Sequence, residues 1–272
     1  MIDNREKIII GRNGNLAKKL KDRYPNARVI TSEEYLTWDK VLDVRKLIDA
    51  ETTDIFVAIG IVSRRANAQD LELINYKIPT LIASAVSSTD LRIITFGTIM
   101  EKNLQLPAKN PYVASKNHLS LYLQNNLEPQ SYLHLLINTL YGGYRLNPEM
   151  FLGQLFTSIK TNSRFNMSDG RQVREYHHIE DDLSALELFL EKKVGGIQEI
   201  SHGESFYLEE IARQVLLHFN MEEKLTLGAF NSPAEEIYEP IGVKNLLLKE
   251  ISFRPTIDGI ISYINQQLDI SD

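Results

Sequence analysis

The chain has 272 residues, of which 43% are hydrophobic and 24% charged, and it contains no cysteine. The formal net charge of −6 argues against sequence-independent nucleic-acid binding, which needs a basic surface to neutralise phosphates. The lack of cysteine excludes disulfides and cysteine-bound metals, and no apolar run approaches the roughly 20 residues that span a membrane. The N-terminus, MIDNREKIII, has no small-residue cleavage site after its apolar run, so we expect no secretory signal and a cytoplasmic protein.

Short β-branched runs alternate with helical patterns through the first half of the chain. Such alternation is typical of a parallel sheet with crossover helices. The pattern predicts an α/β protein with a Rossmann-type, doubly wound parallel sheet. Strands are predicted at 7–10, 28–30, 55–59, 92–95 and 134–140, and helices at 16–23, 44–50, 68–84 and 112–126.

The regular alternation stops after Tyr141-Gly142-Gly143, where helices joined by loops rich in Gly, Pro, Ser and Asn begin. This change predicts a smaller C-terminal lobe. Its helices are predicted at 151–161, 181–192, 208–219 and 257–268.

A glycine-containing turn, Gly11-Arg12-Asn13-Gly14-Asn15-Leu16-Ala17, connects the first predicted strand to the first helix. The first glycine permits a tight turn, and the second lets the backbone approach a pyrophosphate at the helix N-terminus, where N–H groups favour anions. An isolated glycine pair would indicate an ordinary turn, but the strand–turn–helix context favours dinucleotide binding. The segment from Gly11 to Leu16 is therefore assigned to a dinucleotide cofactor.

Two features bear on which dinucleotide is bound. Where an acidic residue would bond the ribose 2′-OH of NAD, the chain has Thr31-Ser32, followed by Glu33-Glu34. Arg12 could meet the 2′-phosphate of NADP through charge-assisted, bidentate hydrogen bonds. These features favour NADP(H), with NAD as the alternative.

Tyr112 and Lys116 stand four residues apart at the start of a long predicted helix, in the sequence YVASK. Residues four apart share one helix face, so the Lys116 ammonium would favour the phenolate of Tyr112. We therefore expect the pKa of Tyr112 to fall from the ordinary value of ~10 toward the range useful for acid/base catalysis. The alternative is a surface helix with an unrelated pair.

Together these residues resemble the extended short-chain dehydrogenase/reductase (NAD-dependent epimerase/dehydratase) family over nearly the whole chain. The glycine turn, Asn75 in the fourth predicted helix and YVASK follow the order of that family. Four later segments are also similar to family motifs: LYGG at 140–143 to vYGp, MSDGRQ at 167–172 to TpGeQ, REYHHIEDD at 174–182 to RdYihVdDv, and FRPT at 253–256 to the segment before the last helix.

The resemblance implies an NAD(P)-binding Rossmann domain at 1–142 and a mainly substrate-binding lobe at 143–272, with some segments returning to the sheet. Tyr112 would be the general acid/base, and Lys116 would bind the nicotinamide ribose. Gly60, after the third predicted strand, is also assigned to the cofactor.

The third catalytic group is less regular, because residues 94–101 depart from the family's SSxxvYG and place Phe96 or Gly97 at the hydroxyl position. Thr98 is our first choice for the hydroxyl that meets the substrate oxygen, and Thr95 is the second.

Charged residues of the C-terminal lobe complete the predicted site. By the same resemblance, Arg174 would pair with a substrate pyrophosphate, with Arg254 as a weaker candidate. His177 and His178 are adjacent on a predicted strand and so point to opposite faces, with no third ligand at a suitable spacing, and we assign no metal.

The resemblance implies NAD(P)H-dependent reduction of a nucleotide-linked 4-keto-6-deoxy sugar, because no acidic pair follows Thr98 to support dehydration. The alternatives are a nucleotide-sugar 4-epimerase with bound NAD, and a non-catalytic NAD(P)-binding sensor or scaffold.

The resemblance also implies a homodimer formed by the helices at 68–84 and 112–126. Their outer apolar residues would be Leu73, Leu81, Leu119 and Leu123, unless these simply face the sheet.

Overall fold

The computed structural model describes residues 7–48, 52–62, 66–87 and 89–271. Residues 49 and 50, at the end of a predicted helix, and the first six residues, used above to judge a secretory signal, lie outside this range. Contacts divide the chain into unit one, Met1–Ile137 with Ala185–Ile200, and unit two, Asn138–Ser184 with Ser201–Asp272. Within the described ranges, no helix is long and apolar enough to cross a membrane.

The strands of both units are short. In chain order they are β1 (Lys7–Ile10), β2 (Arg28–Ile30), β3 (Asp54–Val57), β4 (Arg92–Thr98), β5 (Tyr132–Ile137), β6 (Thr139–Tyr141), β7 (Phe165–Asn166), β8 (Val173–Arg174), β9 (Tyr176–His178), β10 (Gly196–Glu199), β11 (Phe206–Tyr207) and β12 (Leu225–Thr226).

The α-helices follow the same order. They are α1 (Asn15–Arg23), α2 (Ser32–Tyr35), α3 (Val41–Arg45), α4 (Ala68–Glu72), α5 (Ile78–Val86), α6 (Pro111–Asn126), α7 (Phe151–Lys160), α8 (Ile179–Glu191), α9 (Leu208–His218) and α10 (Thr256–Ser271).

Unit one is built on a six-stranded sheet in the order β10-β5-β4-β3-β1-β2, and all its strand pairs are parallel. The residues of β3 are buried throughout, as expected for strands covered on both faces. The predicted Rossmann-type α/β fold is confirmed. β1 lies between β2 and β3, so the succession of strands across the sheet changes direction at β1. In such sheets ligands bind beyond the carboxyl ends of the strands at this point.

The helix predicted at 68–84 is interrupted. Leu73–Lys77 forms a π-helical turn between α4 and α5, where the prediction had one continuous α-helix. Pro79 has no N–H to donate to the carbonyl four residues earlier, and a wider turn accommodates that loss. The turn carries Asn75, whose side chain is fully buried.

The strand predicted at 134–140 is two strands. β5 ends at Ile137 within the sheet of unit one, and β6 pairs in parallel with β9 in unit two. The prediction did not identify β10, which pairs with β5 at the edge of the main sheet.

The apolar residues expected on the outer faces of two helices divide into two groups. Leu119 and Leu123 of α6 are 2% and 0% exposed and belong to the core of unit one. They therefore face the sheet, and the expectation that they form an outer surface is wrong. Leu81 packs partly buried against the same core, whereas Leu73 is 40% exposed.

Unit two surrounds a separate core with small strand pairs. β7 pairs with β12 and β8 with β11, and the helices α7, α9 and α10 pack together. Their buried residues include Leu155, Ile211, Val215, Ile260 and Ile264.

Candidate active site

The glycine turn begins where β1 ends. Gly11 has a φ of +117°, and a Cβ there would lie 2.7 Å from the carbonyl oxygen of Ala58, directly after β3. Its N–H donates to the carbonyl of Ile30 at 2.9 Å. Only glycine fits between the ends of these neighbouring strands.

Gly14 is the N-cap of α1 and has open space around its Cα. The first N–H groups of a helix have no intrahelical acceptor, and the first turn of α1 contains no acidic residue. Ala17, on the inner side, is 2% exposed. The helix start can therefore receive an anion at close range.

The two charges considered for cofactor choice follow neighbouring strands, Arg12 after β1 and Glu33 after β2. A hydrogen bond from the Thr31 side chain is the main cause that lowers the pKa of Glu33, and Ser32 and the positive charge of Arg12 lower it further. Arg12 and Glu33 therefore lie close enough to interact, on an exposed surface.

A fully buried asparagine connects the loop after β3 to α6. The Asn75 side chain accepts from the N–H of Ile61 at 2.9 Å and donates to the Ile61 carbonyl at 3.1 Å and to Ser115 Oγ at 3.1 Å. A Cβ on Gly60 would lie 3.3 Å from Lys116 Nζ. Gly60 and Lys116, both assigned to the cofactor, are thus neighbours.

Lys116 is buried one helical turn after Tyr112, in a helix capped by Asn110, whose Oδ1 accepts from the N–H of Tyr112 at 3.1 Å. Lys116 Nζ donates to the carbonyl of Phe96 at 2.8 Å. Burial lowers the pKa of Lys116 to about 8, although the negative charge of Glu101 opposes the change.

The side chain of Thr98 lies close enough to Tyr112 to act on its phenol. Burial raises the pKa of Tyr112 well above its ordinary range, Glu101 raises it further, and the Thr98 hydrogen bond acts in the opposite direction. The expected lowering of this pKa by Lys116 is therefore wrong. The physical reason is that desolvation and a nearby carboxylate both disfavour the phenolate.

The two threonines considered as the source of the catalytic hydroxyl have different partners in the structure. Thr98, the last residue of β4, meets Tyr112, and its Oγ1 accepts from the N–H of Met100 at 3.4 Å. Thr95 is 1% exposed, and its Oγ1 lies 2.7 Å from His134 Nδ1. It is Thr98 that the structure brings to Tyr112.

Sequence reasoning missed two buried residues beside this group, Glu101 and His134. Glu101 Oε1 accepts from the N–H of Thr98 at 2.7 Å, and Glu101 Oε2 lies 3.3 Å from His134 Nε2. A usable signal was present, because Thr98 and Glu101 have the Thr-x-x-Glu spacing of a capping box.

The two arginines assigned to the substrate lie in unit two, and each is paired with an acid. The Arg174 guanidinium donates to the Val173 carbonyl at 2.8 Å and to the carboxylate of Glu236. Arg254 Nη1 donates to Asp181 Oδ1 at 2.6 Å, and its backbone N–H donates to Asp181 Oδ2 at 2.9 Å. Any phosphate must compete with these carboxylates.

Unit two also contains a buried cluster formed by Glu175, His177 and His202, whose potential ligand atoms lie within 4.8 Å of one another. The third ligand judged absent from the sequence spacing is therefore present in space. However, His177 Nε2 lies 2.8 Å from Glu175 Oε1, and His177 Nδ1 lies 2.6 Å from Asp182 Oδ1.

Both nitrogens of His177 therefore face carboxylates. Burial favours the uncharged ring, but the carboxylates of Asp182 and Glu175 outweigh it and raise the pKa of His177 to about 10. In this arrangement the cluster forms a buried ion-pair network, and a metal would have to displace the proton of His177.

Comparison with known proteins gives a family match. Residues 12–201 match the model of a family described as the NAD dependent epimerase/dehydratase family. No curated protein matches the chain.

Several solved structures share the fold at low identity. MoeE5, in complex with UDP-glucose and NAD, is 13% identical with a TM-score of 0.77, covering 98% of this chain and 100% of that one. A dTDP-4-dehydrorhamnose reductase from Bacillus anthracis, in complex with NADP, is 16% identical with a TM-score of 0.75 and covers 96% and 99%. A UDP-N-acetylglucosamine 4-epimerase from Methanobrevibacter ruminantium is 16% identical with a TM-score of 0.76 and covers 98% of both chains.

Proposed function

Because the chain belongs to the NAD dependent epimerase/dehydratase family, we propose that it catalyses NAD(P)H-dependent reduction of a nucleotide-linked 4-keto-6-deoxy sugar. The observation that carries the proposal is the placement of Thr98 beside Tyr112, with Lys116 one turn further along the same helix and donating to the carbonyl of Phe96 in β4 at 2.8 Å. The cofactor, when bound, supplies the hydride that reaches C4.

The residues of the glycine turn fit a dinucleotide. Gly11 allows the chain to pass the end of β3, and Gly14 leaves the start of α1 open. Gly11, Arg12, Asn13, Gly14, Asn15 and Leu16 would hold the pyrophosphate and the adenosine side, and Gly60 and Lys116 would lie at the nicotinamide side.

Tyr112 would donate the proton that the reduced C4 oxygen requires. Its raised pKa keeps the phenol protonated at neutral pH, which is the form needed to protonate an oxyanion. Thr98 would hold the substrate oxygen beside the phenol, and Lys116 would bind the nicotinamide ribose.

The same residues favour reduction over dehydration. Dehydration needs an additional acid and base beside Thr98, but Ile99 and Met100 follow it, and both oxygens of Glu101 are engaged within the protein. Structures with the same fold include reductases, dehydratases and epimerases, so the choice depends on these residues.

NADP(H) is the preferred cofactor in this proposal. Arg12 can turn its guanidinium to a 2′-phosphate, and such contact would replace its interaction with Glu33. NAD is the alternative cofactor, because the Glu33 carboxylate could accept a hydrogen bond from the ribose 2′-OH of NAD.

Arg174 would bind the substrate diphosphate, with Arg254 as the weaker candidate. A phosphate at Arg174 would either share the guanidinium with Glu236 or displace it, since Glu236 occupies part of its five N–H donors. We further propose a cytoplasmic homodimer, with Leu73 on the outer surface of its helical interface.

The proposal is tested by following NADPH and NADH oxidation by absorbance with a panel of 4-keto-6-deoxy sugars linked to CDP, dTDP and GDP. Oxidation with one nucleotide, abolished in Tyr112→Phe, would establish the reductase and its substrate class. If no sugar supports cofactor oxidation and the purified protein retains NAD, the epimerase is favoured. If no sugar supports oxidation and the cofactor binds reversibly, a sensor or scaffold is favoured.

A further inference from the structure

The Glu101 carboxylate is buried directly behind the proposed catalytic hydroxyl. Glu101 lies in a short 3₁₀ helix, Ile99–Lys102, that follows β4, and its side chain is 3% exposed. One carboxylate oxygen accepts from the backbone N–H of Thr98 at 2.7 Å, and the other lies 3.3 Å from His134 Nε2. Glu101 is therefore held by the protein and presents neither oxygen to a substrate.

His134 supports Glu101 from the neighbouring strand β5. With its proton on Nε2, the ring donates to Glu101, and Nδ1 accepts from the Thr95 hydroxyl at 2.7 Å. Both ring nitrogens of His134 and both carboxylate oxygens of Glu101 then have a partner. This hydrogen-bond network runs from Thr95 in β4, across β5, and back to the end of β4 at Thr98.

Gly97 makes room for this network. A Cβ at position 97 would overlap both His134 Nε2 and Glu101 Oε1. Since both partners are fully buried, neither could move aside easily. The glycine that interrupts the expected SSxxvYG pattern is therefore the residue that admits the His134–Glu101 pair.

The charge of Glu101 faces the reacting groups as well as the strand. The titratable groups around it are Tyr112 and Lys116 from α6 and His134 from β5, and Glu101 raises the pKa of both α6 residues. A carboxylate in this place thus favours a protonated phenol and a charged ammonium, which are the forms that the reduction uses.

We propose that Glu101 is a positioning residue that acts through the Thr98 N–H to hold the Thr98 hydroxyl against Tyr112, and that His134 and Gly97 make its placement possible. This inference rests on the proposed reduction. It assigns no direct contact between Glu101 and the substrate.

Glu101→Leu removes the acceptor for the Thr98 N–H and so tests the positioning, and it should lower kcat further than Glu101→Gln does. Glu101→Gln tests the charge alone, because the glutamine carbonyl can still accept from the Thr98 N–H. We expect kcat to fall by about tenfold, part of the roughly 10²–10⁴-fold that general acid catalysis supplies, with little change in KM for the cofactor. The alkaline limb of the kcat profile should move to lower pH. Glu199→Gln is the matched control, because it removes the same charge from a pair with Lys102 in unit one. It should leave kcat and the alkaline limb of its pH profile unchanged.

A second measurement needs no substrate. In protein labelled with ¹³Cε-lysine, the Lys116 resonance, assigned with Lys116→Met, should titrate near pH 8 in the unmodified protein and at lower pH in Glu101→Gln. Undiminished kcat in a folded Glu101→Leu protein overturns the inference, as do an unchanged Lys116 titration in a folded Glu101→Gln protein and an equal loss of kcat in Glu199→Gln. If the unmodified protein reduces no sugar, but the Lys116 titration still differs between it and Glu101→Gln, the proposed function is refuted. The arrangement around Glu101 is then still supported.

If Glu101→Gln does not fold, Gly97→Ala provides the second variant. It should displace the His134–Glu101 pair and lower kcat while the cofactor still binds. Undiminished kcat in Gly97→Ala would contradict the inference.

Discussion

Thr98 and Thr95 offer a matched pair of substitutions on one strand. Thr98→Val removes the hydroxyl that meets Tyr112, whereas Thr95→Val removes a hydroxyl whose partner is His134 Nδ1. Valine has nearly the same shape as threonine, so each change removes a hydrogen bond with little change in packing. We expect Thr98→Val to lose turnover and Thr95→Val to lose stability.

The magnitudes follow from the contacts. Removing one hydrogen-bonding group from the reacting oxygen costs roughly 10²–10³ in kcat, or about 3–4 kcal/mol of activation free energy. Thr98→Val should lower the free energy of unfolding by only about 1 kcal/mol, the typical net value of one hydrogen bond. Thr95→Val leaves the buried Nδ1 of His134 without its partner, which costs about 1–3 kcal/mol, or about 2–4 °C in Tm for each kcal/mol.

The assay compares kcat for NADPH oxidation, on the substrate found with the sugar panel, with urea unfolding followed by circular dichroism. Thr95→Val should retain kcat within about tenfold, because Glu101 still accepts from the Thr98 N–H. The reasoning is refuted if Thr95→Val loses turnover while Thr98→Val keeps it, since Thr95 would then be the catalytic hydroxyl.

Three further predictions concern separate parts of the molecule. Tyr112→Phe should lower kcat by roughly 10²–10⁴-fold with cofactor affinity, measured by fluorescence titration, largely intact; full activity would exclude Tyr112 as the acid. Arg12→Ala should raise the Kd for NADPH more than the Kd for NADH, and an equal increase would contradict the 2′-phosphate assignment. His177 has its pKa raised from 6.5 to about 10 by Asp182 and Glu175 against the effect of burial, so its stabilisation is complete below pH 6.5 and is lost as pH rises through about 10. Urea midpoints should therefore fall over that window, and less steeply in Asp182→Asn; equal slopes would show that this pair does not control the loss.

The family and the fold class were predictable from the sequence because their signals are local. A strand, a glycine turn and a helix follow one another between Lys7 and Arg23, and each needs only neighbouring residues to form. The four-residue spacing of Tyr112 and Lys116 likewise places both on one side of α6 without knowledge of the rest of the fold. The parallel arrangement of the sheet was predictable for the same reason, whereas its edge strand β10 was not identified.

Long-range contacts were decided only by the tertiary structure. Glu101 meets His134 from a strand 33 residues away, and Arg174 meets Glu236 across 62 residues. No sequence spacing records such pairs, because they depend on which strands and loops become neighbours.

The pKa of Tyr112 shows the same division most clearly. The sequence by itself determined that a lysine follows the tyrosine by one helical turn, which predicted a lowered pKa. Tertiary packing decided the sign instead, because it partly desolvated the phenol and brought the Glu101 carboxylate near it. Desolvation in a folded protein depends on every surrounding element rather than on the nearest residues in the chain.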